Sequence, residues 1–153
     1  MKLAKKFFEE VTFFGGIVFY LFLIFLLYIT GKPDYSIKLS LVFIFALIII
    51  YSLTFVIRLF YFKQRPEKIK YSNFIEKIDA SSFPSVHAAR ITFLALFFMF
   101  SFTMNYLYIP VILVIWFFTI YSRYYLKKHD TTDLITGIIL GIISFVLSGF
   151  ILT

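Results

Sequence analysis

The chain reads as an all-α integral membrane bundle, with about five transmembrane helices and an N-terminal amphipathic helix lying at the interface ahead of them. Three observations lead there. The 153 residues are 61% hydrophobic and 23% aromatic with only 15% charged, and the mean hydropathy is +0.95, far from the balance of a water-soluble domain. The apolar residues form long runs and the charges cluster between them, so the charged clusters read as loops. No run alternates apolar and polar residues as a barrel strand does, and helices and closed barrels alone satisfy their backbone in lipid.

The first element lies within residues 2–14. Lys2, Lys5, Lys6, Glu9 and Glu10 alternate there with Leu3, Phe7, Phe8 and Val11 at spacings of three to four, the pattern of a helix lying in the interface. The apolar run behind this cationic start has no Ala-x-Ala exit, so it reads as retained and not as a cleaved signal peptide. Crossing ~30 Å of hydrocarbon takes about 20 helical residues. Runs 12–29, 37–57, 88–104, 106–121 and 134–152 meet or approach that length, and a tight hairpin around Asn105 is expected to join the third to the fourth. The polar stretch from Arg58 to His87 carries Pro66 and Pro84, with Phe74, Ile75 and Ile78 as the apolar stripe of a short surface helix. In the last run Gly137, Gly141, Ser144, Ser148 and Gly149 recur at helical spacing, which lets a neighbouring helix come close. Residues 1–153 read as a single domain.

Alternating sides from the N-terminus puts the Arg58–His87 and Ser122–Thr132 loops on one membrane face. Both histidines and most other ionisable residues then share one layer, as a common site requires. The net charge of +7 points to anionic lipid as the partner and not to nucleic acid, since most of this surface faces acyl chains. With no cysteine, disulfides, thiolate nucleophiles and zinc-thiolate sites are excluded.

Three clusters carry chemistry. Arg58 and Arg65-Pro66 close the second run; seven residues are almost two helical turns, so the two guanidiniums share a stripe if the helix continues that far. Such forks hold phosphate oxygens, while Lys63, off that stripe, is expected to reach toward headgroups. Ser81-Ser82-Phe83-Pro84-Ser85-Val86-His87 precedes the third run. There Pro84 suits a first helical turn, the Ser85 and Val86 N–H groups are available to an anion, and His87 can move a proton near neutral pH. The same serines also suit an ordinary helix cap. Ser122-Arg123 leads to His129 and Asp133, four apart and on one face if helical, so the carboxylate can accept from one imidazole nitrogen and leave the other bare. Asp130, Thr131 and Thr132 are equally apt caps for the last helix.

Taken together these clusters resemble the type 2 phosphatidic acid phosphatase superfamily of membrane lipid phosphatases. Its pattern is Lys six residues before Arg-Pro, then Pro-Ser-Gly-His, then Ser-Arg with five residues before His and three before Asp. The third motif matches in full; Arg58 replaces the usual Lys and Val86 the usual Gly, and one of the family's common six spans is missing. The resemblance implies that His129 attacks phosphorus to form a phosphohistidine, that Asp133 orients it, and that His87 protonates the leaving lipid oxygen. Arg58, Arg65, Ser85, Val86 and Arg123 would then bind the phosphoryl oxygens. It also implies a multi-pass protein of the inner membrane acting on its outer face. The implied substrate is a phospholipid or polyprenyl (di)phosphate: undecaprenyl diphosphate, phosphatidylglycerophosphate, phosphatidic acid or the lipid A 1-phosphate.

No metal or cofactor is called for, because the guanidiniums supply the charge a magnesium ion would bring. Two other readings compete. His87, His129 and Asp133 also make a two-histidine, one-carboxylate metal set, and a non-catalytic phospholipid-binding or transport protein would equally use the arginines. Arg90, three residues after His87, suits a second anionic group or a snorkelling position.

Overall fold

A computed structural model describes residues 2–30, 33–67, 70–101 and 106–150, and every regular element among them is helical. Helix α1 (Lys2–Val11) runs into a 3-10 turn (Thr12–Gly15), which is followed by α2 (Ile17–Thr30) and α3 (Pro33–Phe60). A short α4 (Phe74–Ala80) precedes α5 (Val86–Ser101), α6 (Tyr108–Tyr125) and α7 (Thr131–Gly149). The hairpin expected at Asn105 lies outside the described residues.

Three of these helices are long and apolar enough to cross a membrane, within Ser36–Phe60, Tyr108–Tyr125 and Thr131–Gly149. The pair Lys2–Gly15 and Ile17–Ile29, bent by 46°, passes as a fourth if taken as one span, and Val86–Phe100 is apolar but shorter. The exterior carries large apolar side chains such as Val18, Phe25, Ile48, Val114 and Val146. This is the surface of a protein whose solvent is lipid.

α1 is not free of the bundle. Its Phe7 packs on Phe118 and its Phe8 on Tyr121 and Tyr125 of α6, with ring centroids 6.0, 5.4 and 4.4 Å apart. Inside, Tyr20, Phe43, Phe93 and Phe97 are fully buried and interlock, tying α2, α3 and α5 together. α7 then lies directly on α5. A Cβ on Gly137 would fall 2.4 Å from the Ser85 carbonyl oxygen, and one on Gly141 would fall 2.5 Å from that of Ala89. Gly149, in the same expected stripe, has nothing within 4 Å, so only the first two glycines set the helix approach.

Candidate active site

Backbone hydrogen bonds knit the three clusters into one layer. α3 ends at Phe60, and the chain then runs beside residues 81–84, with the Ser82 N–H donating to the Lys63 carbonyl at 2.8 Å. The second cluster joins the third where the Ser85 N–H donates to the Asp133 carbonyl at 3.0 Å. The N–H groups of Lys128 and His129 both donate to the Arg123 carbonyl, at 3.0 and 3.2 Å, which folds the loop after α6 back under its last turn.

His129 is not on the last helix. Asp130 is the N-cap of α7, accepting from the Asp133 N–H while the Asp133 carboxylate accepts from the Asp130 N–H. This reciprocal capping box, and not a shared helical face, brings His129 Nδ1 to 3.6 Å from Asp133 Oδ2. Nδ1 makes its short contact with the Ser82 carbonyl oxygen, at 2.8 Å. A carbonyl only accepts, so Nδ1 carries the proton and Nε2 is left bare. Burial pushes the His129 pKa below its ordinary value; the hydrogen bond to Asp133 opposes this, and Arg123 and Arg65 add to it.

Lys63 corrects a sequence expectation. Because the chain turns back after Phe60, its ammonium does not reach toward headgroups but meets Asp133 Oδ1 at 2.9 Å and Asp130 Oδ2 at 2.5 Å. Burial works against its charge, yet the hydrogen bonds to Asp130 and Asp133 outweigh burial and hold its pKa above the usual lysine value. Asp133 itself is fully buried.

Arg58 and Arg65 do not share a helical stripe either, since Arg65 lies beyond the end of α3. They converge through the loop. Arg58 donates through Nε to the Phe83 carbonyl at 3.1 Å, through Nη1 to those of Ile78 and Asp79 at 3.2 and 3.5 Å, and through Nη2 to that of Pro84 at 3.2 Å. Most of its donors therefore hold the loop in place. Among the described residues Arg65 spends only Nη2, on the Asp79 carbonyl at 3.0 Å, and Arg123 only Nη1, on Thr12 Oγ1 at 2.9 Å. The Nε atoms of both are buried without a partner among the described residues.

Pro84 precedes α5, which begins at Val86. Ser85 is fully buried, with its N–H given to Asp133 and its Oγ accepting from the Ala88 N–H at 3.4 Å. Its N–H is thus not available to an anion as expected.

Val86, His87, His129, Arg58, Arg65 and Arg123 line one cavity of about 400 Å³, together with Arg90 and the exposed stripe Phe74 and Ile75 of α4. Among the described residues Asp79 is the single carboxylate in the lining. Four guanidiniums against one carboxylate make a cradle for a multiply charged anion, with an apolar lip. Among the described residues no three His, Cys, Asp or Glu side chains are grouped to hold a metal ion. Asp133 is turned to Lys63 and the Asp130 N–H instead, so the His87, His129 and Asp133 metal set does not form.

The PAP2 superfamily pattern matches residues 39–149, well over half the chain and all three clusters. The chain belongs to the PAP2 superfamily. A similar solved structure is that of Aquifex aeolicus LpxE, with a TM-score of 0.76 and 22% identity over 98% of this chain and 87% of that one; it shows a common fold. No curated protein sequence matches the chain. The PAP2 match begins after the Thr12–Gly15 turn, yet that turn touches the site twice. Thr12 holds Arg123, and a Cβ on Gly15 would sit 3.2 Å from His87 Cδ2. Neither residue has a signature in sequence, because both act through contacts with residues distant along the chain.

Proposed function

We propose that this PAP2 protein is a membrane lipid phosphatase that cleaves a phosphomonoester or diphosphate through a phosphohistidine on His129. The observation that carries this is a single cavity in which a bare imidazole nitrogen, a second histidine and several guanidiniums are lined up. His129 Nε2 attacks phosphorus while the Ser82 carbonyl and Asp133 steady the charge appearing on its ring. Arg65 and Arg123, with free donors, take the equatorial oxygens, and Arg58, the Val86 N–H and the Ser85 hydroxyl proton complete the cradle. His87 gives a proton to the departing lipid oxygen, and water then releases phosphate. The guanidiniums provide the positive charge for this without a metal ion.

The membrane arrangement belongs to the same proposal. α2, α3, α5, α6 and α7 cross, α1 lies on the surface, and the site faces the outside of the inner membrane, where α4 dips Phe74 and Ile75 toward acyl chains. At ~21 Å for its 14 residues, α2 is short for a crossing, and the 3-10 turn before it extends its reach.

Purified protein in detergent is expected to release inorganic phosphate from at least one lipid in a panel of phosphomonoesters and diphosphates. His129→Ala is expected to retain lipid binding and release none. Wild-type turnover by that variant removes the nucleophile assignment, and binding without turnover by the wild-type protein favours a lipid-binding role.

A further inference from the structure

Arg90 is the one guanidinium in the cavity that none of the three motifs contains. It is only 3% exposed, on a helix whose adjoining residues Ala88, Ala89 and Ile91 are apolar and buried, and no carboxylate pairs with it among the described residues. A guanidinium is costly to bury and is kept where it has work at a site. Its partners identify that work. Nη1 donates to the Tyr51 hydroxyl at 3.0 Å, and Nη2 lies 3.3 Å from His87 Nδ1. Arginine has donors only, so Nδ1 is the acceptor and carries no proton.

We propose that Arg90 is a positioning residue for His87, its Nη2 donating to Nδ1 so that the ring's single proton sits on Nε2, ready for the leaving oxygen. The spacing of three along α5 places the two side chains one turn apart on the same side, Tyr51 of α3 fixes the guanidinium, and Gly15 leaves room for the opposite edge of the ring. A neutral imidazole serving as donor, with a positive group facing its other nitrogen, is an established way of arranging an acid. As the P–N bond to His129 forms, the P–O bond to the lipid breaks, its electron pair stays on oxygen, and the Nε2 proton moves to that oxygen. Arg90 then compensates the proton-deficient ring until the water that attacks the phosphohistidine returns a proton to Nε2. The chemistry rests on the lipid-phosphatase reading; the tautomer does not.

The test has two arms. Nitrogen-15 NMR of histidine-labelled protein in micelles, with His129→Ala assigning the two rings, is expected to show His87 unprotonated at Nδ1 and protonated at Nε2. A proton on Nδ1 in the wild-type protein overturns the proposal. The second arm compares kcat/KM for dioctanoyl phosphatidic acid, whose alkoxide needs a proton to leave, with that for an octyl-substituted aryl phosphate, whose phenolate does not. Arg90→Met is expected to lose roughly 10²-fold on the first and little on the second, the range of one general acid. Arg90→Gln, which keeps an N–H donor, is expected to recover part of that loss. Equal losses on both substrates reduce Arg90 to phosphate binding or packing, and no loss on the alkyl substrate overturns the proposal. Absence of phosphate release by the wild-type protein from every lipid of the panel sinks the phosphatase reading, while the NMR result still decides the tautomer.

Discussion

At the scale of single residues, His129 is buried between opposed charges, and burial fixes the sign of its response to pH. Burial holds its pKa below the ordinary 6.5, and attack requires the neutral ring. Activity is therefore expected to persist as pH falls below 6.5 and to fail only as pH passes through the lowered value, which a pH profile of kcat/KM reads directly. Asp133 raises that pKa, and the ammonium of Lys63, 2.9 Å from Asp133 Oδ1, opposes this by repelling a second cation on the ring. Lys63→Met is thus expected to move the acidic limb to higher pH and Asp133→Asn to move it lower, each with a reduced kcat. Limbs moving in the same direction would remove Lys63 from the circuit. Arg58 poses a different question, because its donors are given to the carbonyls of residues 78, 79, 83 and 84. Arg58→Lys keeps the charge but cannot span those acceptors, so kcat/KM is expected to fall with a lower Tm. The gathering of His87, His129, Arg58, Arg65 and Arg123 around one cavity was legible in the spacing of the three clusters. The roles of Lys63 and the Ser82 carbonyl were not, since helical periodicity says nothing about where α3 stops and a backbone acceptor has no side-chain signature.

At the scale of elements, the approach of α7 to α5 is what places Asp133 behind the second cluster. Gly137 faces the Ser85 carbonyl and Gly141 the Ala89 carbonyl, each too close for a Cβ. A backbone neighbour cannot rotate away as a side chain can, so Gly141→Ala is expected to cost about 1–3 kcal/mol of stability, the usual cost of overpacking. Gly137→Ala is expected to lose activity as well, because the strain falls on Ser85, whose N–H meets the Asp133 carbonyl. Gly149→Ala, with open space around it, is the control and is expected to leave Tm unchanged or slightly raised, as alanine favours a helix over glycine. Thermal unfolding in detergent separates these outcomes. The small-residue stripe announced a close helix contact, but spacing alone does not rank its members, since the discriminating fact is which neighbour each one faces. Helix positions were legible in part: the expected runs overlap α2, α3, α5, α6 and α7, the first taking in the Thr12–Gly15 turn as well, and among the described residues three of these helices are long and apolar enough to cross on their own.

At the scale of the whole molecule, orientation is set against charge. In the five-crossing arrangement proposed above, all Lys and Arg residues but Lys32 and Lys38 fall on the face of the site by alternation of sides along the sequence, and the positive-inside rule would turn that face to the cytoplasm. Much of this charge is committed elsewhere. Arg58, Arg65, Arg90 and Arg123 line one cavity, Lys63 is paired with Asp130 and Asp133, and Lys128 is paired with Glu67. A face whose cations are gathered around an anion-binding cavity carries fewer charges free to act as topological anchors, which is compatible with the outward arrangement proposed for the site. The absence of cysteine makes the question directly measurable by placing single cysteines at the exposed positions Lys38 and Lys70. In right-side-out vesicles, an impermeant maleimide is expected to label Lys70→Cys at once and Lys38→Cys only after the membrane is opened. The reverse pattern would put phosphate release in the cytoplasm while leaving the chemistry intact. Labelling of both from one side would contradict five crossings, because an odd number of helices would then no longer separate the two ends of α3.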